Sequence, residues 1–336
     1  MKERFFVKYK IDFTDDANYH LAIETDKLTA HQVADIIIDA YKDLNKSSSI
    51  PSVNFHLWEP CNMRCKFCFA TFQDVKQTIL PKGHLPKEKA IRVIEEIAKA
   101  GFEKITFAGG EPLLCPWLSD LIKRAKQLGI TTMIVTNGSK LTNQFLLENK
   151  KYLDWIALSI DSLEDTTNIA IGRAITGKKP LGISFYKVLV NDIHKYGYGL
   201  KINTVVNAVN YTENFNEFID FAKPKRWKVL QVLPIEGQND GKIEDFKINS
   251  KQFESFVLNH QNIKIMVPES NEAIKGSYVM VDPAGRFFEN SEGKHNYSKQ
   301  ILEVGIENAL KMVHYDFEKF INRGGIYNWK NDTRKE

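Results

Sequence analysis

Three of the chain's four cysteines, Cys61, Cys65 and Cys68, fall in one short stretch at the spacing C-x3-C-x2-C. A loop with this spacing can turn three thiolates toward one point, and soft thiolates select zinc or iron–sulfur clusters. Structural zinc takes four protein ligands, and His56 or Cys115 would have to supply the fourth. A cubane cluster held by three cysteines leaves one iron free for another ligand. Downstream, Gly109-Gly110-Glu111-Pro112 follows a strand-like run. Two glycines let backbone approach a ligand closely, and Glu111 offers a carboxylate to an ammonium group. Further on, Lys201 and Asn203 lie two apart on one expected strand and so share a face. Arg226 and Lys228 do the same on the next. Strands inside a parallel sheet are normally apolar on both faces, so charges pointing inward need a partner. A triphosphate would provide it. No GxxxxGK[ST] loop is present, so side chains would have to hold the phosphates.

The cysteine spacing just after a strand resembles the signature of the radical S-adenosylmethionine (SAM) enzymes. Six segments recur in one order: Phe107-Ala108-Gly109-Gly110-Glu111-Pro112, Ala157-Leu158-Ser159-Ile160-Asp161-Ser162, Lys201-Ile202-Asn203, Arg226-Trp227-Lys228-Val229, Val267-Pro268-Glu269-Ser270-Asn271 and Arg323-Gly324-Gly325. Together they resemble the viperin-like branch, from about residue 52 to 330. The resemblance implies that Cys61, Cys65 and Cys68 ligate a [4Fe–4S] cluster whose open iron chelates SAM. It implies that Phe67 lies near the adenine and that Gly109, Gly110 and Glu111 bind the methionyl amino group. Ser159 and Arg173 would contact the ribose and carboxylate of SAM. Asn54, Lys104, Lys201, Asn203, Arg226 and Lys228 match nucleotide-binding positions, and Arg323 and Lys330 would close over the phosphates. Tyr278 matches a tyrosine that donates hydrogen to the product radical.

The implied reaction is dehydration of CTP, UTP or GTP to the 3′-deoxy-3′,4′-didehydro nucleotide, a chain terminator suited to antiviral or antiphage defence. An external donor such as a flavodoxin would supply electrons. Three departures stand out. Residues 1–50 replace viperin's membrane helix, Ala108 replaces a serine, and Phe288-Glu289-Asn290 replaces a cysteine-containing stretch. Two rival readings remain open at this point: a radical SAM enzyme acting on a peptide, and a non-enzymatic iron–sulfur or zinc protein. The first commonly carries extra cysteine clusters in a C-terminal extension, and this chain has none.

The elements that must position these residues alternate. Expected strands at 52–57, 104–108, 131–136, 155–160, 200–206 and 227–233 interleave with expected helices at 86–100, 118–128, 143–150, 185–196 and 213–222. The pattern predicts an α/β fold, a partial (βα)6 radical SAM barrel with its active site at the C-terminal strand ends. An N-terminal extension, 1–50, contains a strand at 4–13 and a core-packed helix at 29–44 capped by Thr29. The barrel spans 51–235. A C-terminal extension, 236–336, closes the nucleotide site with a helix at 251–259, a hairpin around Pro283-Ala284-Gly285 and a last helix at 299–313. Across 336 residues the net charge of +4 is too mild for a nucleic-acid binder. There is neither a long apolar run nor a signal peptide, so a cytoplasmic protein without a membrane span is expected. Grouped cysteines fit a reducing compartment.

Overall fold

The computed structural model describes residues 23, 26–36 and 50–329. The chain divides into two units, Met1–Ser49 and Ile50–Glu336. In the first, the Thr29 hydroxyl accepts from the Gln32 amide (3.3 Å) and the Gln32 side chain accepts from the Thr29 amide (2.9 Å). This reciprocal cap opens a helix over 30–36. The expected strand at 4–13 and the helix beyond residue 36 lie outside the described residues.

The second unit is built on strands β1 (Ser52–Trp58), β2 (Lys104–Gly109), β3 (Thr131–Thr136), β4 (Trp155–Ser159), β5 (Ala174–Ile175), β6 (Lys179–Pro180), β7 (Gly199–Val206), β8 (Arg226–Gln231), β9 (Met266–Glu269), β10 (Val279–Val281), β11 (Arg286–Glu289) and β12 (Asn296–Gln300). Ten form one sheet in the order β12-β11-β10-β1-β2-β3-β4-β7-β8-β9, while β5 and β6 make a small ribbon. The six expected strands are β1 to β4, β7 and β8, all parallel to their neighbours.

Alternation along each strand separates two faces. On β1, Val53, Phe55 and Leu57 pack into the main core, whereas Ser52, Asn54 and His56 face an internal cavity. The core is completed by helices such as α1 (Lys87–Lys99), whose buried Ala90, Val93, Ile94 and Ile97 follow helical spacing. Gly101, at φ +83°, ends it in the left-handed conformation that glycine adopts at no steric cost.

The C-terminal part departs from expectation in three ways. The hairpin is no appendage: β10 pairs in parallel with β1, so β10 and β11 extend the barrel sheet. A strand was not expected at β9 because Pro268 interrupts it. As the outermost strand it tolerates proline, which lacks an amide donor. The single helix expected at 299–313 is instead the end of β12 and two short helices, Ile301–Val304 and Ile306–Leu310, broken at Gly305 (φ +81°). A further helix, Phe317–Asn322, starts where Asp316 accepts from the Lys319 amide at 2.8 Å.

Candidate active site

A cavity of about 810 Å³ occupies the barrel interior. Its lining includes Cys61, Cys65, Phe67, Cys68, Gly109, Gly110, Ser159 and Arg173, together with Asn54, Lys104, Lys201, Asn203, Arg226, Lys228, Tyr278 and Arg323. Lys330 lies outside the described residues. Glu111 is the exception to the expected lining. It is fully buried, with one carboxylate oxygen accepting from the Leu113 amide (3.1 Å) and Thr136 hydroxyl (2.7 Å) and the other from the Asn137 amide (2.8 Å). Its carboxylate therefore ties the β2 end to the β3 end instead of facing the cavity. The two glycines beside it present their backbone there.

Backbone contacts clamp the cysteine loop from both sides. The Gly110 amide donates to the Trp58 carbonyl at 2.5 Å and the Glu111 amide to Pro60 at 3.0 Å. On the other side, the Arg64 amide donates to Gly172 (3.1 Å) and the Lys66 amide to Ile171 (3.0 Å). A Cβ on Gly110 would lie 2.2 Å from the Glu59 carbonyl oxygen, and one on Gly172, at φ +75°, 2.1 Å from that of Arg64. Replacing Gly172 with alanine is therefore expected to cost at least about 2 kcal/mol and to displace the loop. Thermal unfolding and iron retention check this; an unchanged melting temperature would contradict it.

Among the described residues, no set of three or more His, Cys, Asp or Glu side chains converges where a single metal ion could sit. A cluster needs less convergence, because each thiolate binds a different iron. The zinc alternative also loses its fourth ligand. Cys115 is buried away from the cavity, and His56, although it lines the cavity, is packed among Phe69, Phe72 and Phe288 and belongs to no metal-holding set among the described residues. Burial pushes the Cys65 thiol up to about 12, with Arg173 opposing, and raises Cys61 and Cys68 as well. This apolar wall favours thiolates only when a cationic centre neutralises them.

Arg173 is held by Asp161, which accepts from its Nε at 2.6 Å. The other Asp161 oxygen accepts from the Val205 amide at 2.8 Å, anchoring the pair to β7. Phe67 packs edge-on to Phe246 over an apolar shelf of Ile171, Val232 and Ile243.

The cationic part of the lining follows from strand register. β7 and β8 align Lys201 with Arg226 and Asn203 with Lys228, so four inward side chains form a two-by-two block. Lys104 joins from β2 and Arg323 from the loop after the last helix. Glu269, buried at the end of β9, pairs with Lys228 Nζ (2.8 Å) and Arg323 Nη1 (3.3 Å). Lys104 donates to the Tyr327 hydroxyl (3.1 Å) and Arg226 to the Gly324 carbonyl (2.6 Å), neither of which cancels charge. Lys201 has no hydrogen-bond or ion-pair partner among the described residues and is only 8% exposed. Burial lowers Lys104 to about 7, with Arg323 and Arg226 adding to it. Burial likewise lowers Lys228 to about 7, against the pull of Glu269. Lys201 falls well below its ordinary value through burial and then Lys228, Lys104 and Arg226. Asn203 Oδ1, Arg226 Nε and Arg323 Nε are buried without a partner.

Tyr278 donates its hydroxyl to Glu269, receives a hydrogen bond from Lys228, and lies under the Arg323 guanidinium, 3.6 Å from its ring centre. Glu269, Asp161 and Tyr327 were not singled out from sequence as site residues. Glu269 and Asp161 stood inside quoted segments, and a carboxylate among cationic positions was the available signal.

Comparison with known proteins places this geometry. The Radical SAM superfamily profile matches residues 58–224. A Lacinutrix mariniflava protein named S-adenosylmethionine-dependent nucleotide dehydratase is 67% identical over 100% of this chain and 71% of its own length. One of the same name from Flammeovirga pacifica is 56% identical over 86% of this chain and 99% of its own. The Danio rerio S-adenosylmethionine-dependent nucleotide dehydratase RSAD2 is 39% identical over 84% of this chain and 79% of its own. Among solved structures, SAM-bound anSMEcpe superposes with TM-score 0.59 at 14% identity, covering 78% of this chain and 80% of its own. SAM-bound Streptococcus suis SuiB gives 0.55 at 18%, covering 84% and 70%. Those two likenesses show a shared fold. The chain belongs to the S-adenosylmethionine-dependent nucleotide dehydratase family of the radical SAM superfamily.

Proposed function

We propose that this enzyme removes water from the ribose of CTP, UTP or GTP to give the 3′-deoxy-3′,4′-didehydro nucleotide, a chain terminator for antiviral or antiphage defence. The observation that carries this reading is that the cationic block on β7 and β8 lines the same cavity as the three cysteines. Cys61, Cys65 and Cys68 would hold the [4Fe–4S] cluster. Gly109 and Gly110 would receive the SAM amino group through backbone carbonyls, Arg173 its carboxylate, Ser159 its ribose and Phe67 its adenine. The bound cluster and SAM supply hydrogen-atom abstraction.

The chain's own residues do the rest. Lys104, Lys201, Arg226, Lys228 and Arg323 anchor the phosphates, with Asn54 and Asn203 beside them. Anchoring one end of the nucleotide fixes its ribose toward the cysteine wall, which lowers the entropic part of the barrier. The buried cavity excludes water from a reactive site. Tyr278 would give hydrogen at its hydroxyl. The C-terminal extension would close the nucleotide site. A small external carrier such as a flavodoxin delivers electrons, and the cytoplasm provides the reducing setting. No described helix is long and apolar enough to cross a membrane.

The test is incubation of reconstituted, reduced protein with SAM and each nucleoside triphosphate. Cleavage of SAM stimulated by one triphosphate, with a dehydrated nucleotide formed, is expected. Cleavage indifferent to all four would contradict the proposal.

Binding should also depend on pH. Lys104 and Lys228 titrate near 7 in the nucleotide-free protein, and phosphate contact raises both. Below about 7 both are charged with or without nucleotide. Above it they are neutral when free and charged when bound, so binding takes up protons and weakens as pH rises. Titration calorimetry in buffers of different ionisation enthalpy is expected to show net proton uptake at pH 8; proton release would contradict this.

A further inference from the structure

We infer that Glu269 is an internal stand-in for the substrate's phosphates, a counter-ion that the triphosphate displaces from Lys228 and Arg323. The inference rests on the nucleotide reading above. Its ground is the arrangement on β9. The Glu269 carboxylate is fully buried and pairs with two cations of the phosphate wall, Lys228 at 2.8 Å and Arg323 at 3.3 Å. It reaches them from behind: both cations line the cavity and Glu269 does not. An arriving anion therefore meets the same two cations from the open side.

The other cations show what the carboxylate does. Lys104, Lys201 and Arg226 form no ion pair with any described carboxylate. Four buried cations and the half-buried Arg226, with no anion, would be costly to fold. One carboxylate offsets part of that cost and leaves the wall strongly positive. Groups facing Glu269 are Lys228, Arg323 and the Tyr278 hydroxyl, with Arg226 and Lys201 beyond them. When phosphate oxygens take over Lys228 and Arg323, Glu269 keeps its bond from Tyr278. Tyr278 also receives a hydrogen bond from Lys228, so the exchange frees one side of its hydroxyl only when nucleotide is present. Glu269 is thus a positioning residue acting through Lys228, Arg323 and Tyr278.

A carboxylate that merely braces the fold and one that competes with phosphate respond oppositely to neutralisation. The test compares wild-type and Glu269→Gln holoenzyme, SAM-loaded but unreduced, at pH 6.5. Triphosphate affinity is measured by calorimetry, and thermal stability is measured with and without nucleotide. Displacement predicts that the variant binds the preferred triphosphate about tenfold or more tightly, because like-charge repulsion is removed. It also predicts a lower melting temperature than wild type without nucleotide and a restored one at saturation. In turnover, KM and kcat should both fall. Unchanged or weaker affinity, or a stability loss that nucleotide does not restore, would overturn the inference. Should Glu269→Gln not give soluble protein, Glu269→Asp draws the carboxylate back from the cations. Affinity should then rise about threefold, and no rise would overturn the inference equally. A wild-type protein that binds no triphosphate would instead sink the nucleotide reading itself.

Discussion

Replacing Cys65 with alanine is expected to leave a folded protein with little bound iron and no SAM cleavage. Cys65 sits between the other two cysteines in the clamped loop, and its backbone is held by the Lys66 and Arg64 contacts to residues 171 and 172. The alanine variant keeps those backbone bonds and removes only a half-buried thiol. Two remaining thiolates cannot hold a cluster that keeps only one iron open. Loss of turnover of at least about ten-thousandfold is expected, since no other group on the cavity wall can replace the chemistry of the cluster. Iron content, visible absorption and 5′-deoxyadenosine formation read it. Full iron loading with normal turnover would refute the assignment.

Lys201→Met is expected to move function and stability in opposite directions. Methionine fills a similar volume and carries no charge. Lys201 is buried without a partner among the described residues, so its removal takes away an unpaired amine that is costly to bury, charged or neutral, and the nucleotide-free protein should melt at a higher temperature. The triphosphate loses its contact with a desolvated cation. A loss of about 2–5 kcal/mol, roughly thirtyfold to several thousandfold in kcat/KM, is expected and should fall mainly on KM. Slow SAM cleavage without nucleotide should not change. A variant that is both less stable and fully active would show that Lys201 does not face the phosphates. The sign of the stability change separates this account from one in which Lys201 is simply a structural lysine.

Much of this site was legible because it depends on parity and spacing. Lys201 with Asn203, and Arg226 with Lys228, had to share faces once the strands were recognised, and the parallel register then set them side by side. The cysteine loop and the glycine pair were legible as short local segments. What escaped depended on neighbours distant in sequence. Glu111 turns away from the cavity because Thr136 and Asn137, at the end of the next strand, offer donors to a buried carboxylate. No local pattern announces that. Glu269 escaped because β9 is short and carries Pro268, so its period-two signal is weak. Asp161 was visible as a letter in a motif, and its pairing with Arg173 appears only once the loop after β4 folds back. The misread helix at 299–313 shows the converse error, in which helical spacing continued through Gly305 although glycine at φ +81° breaks the backbone.

The central proposal is that the cations hold the nucleotide with its ribose toward the three cysteines. The most direct measurement uses nucleoside triphosphates deuterated at C4′, turned over with SAM by reduced enzyme and followed by mass spectrometry. The account predicts that deuterium from one triphosphate appears in 5′-deoxyadenosine and that the nucleotide product has lost one water. Deuterium-free 5′-deoxyadenosine with every triphosphate, or an intact nucleotide recovered after SAM is consumed, would contradict it.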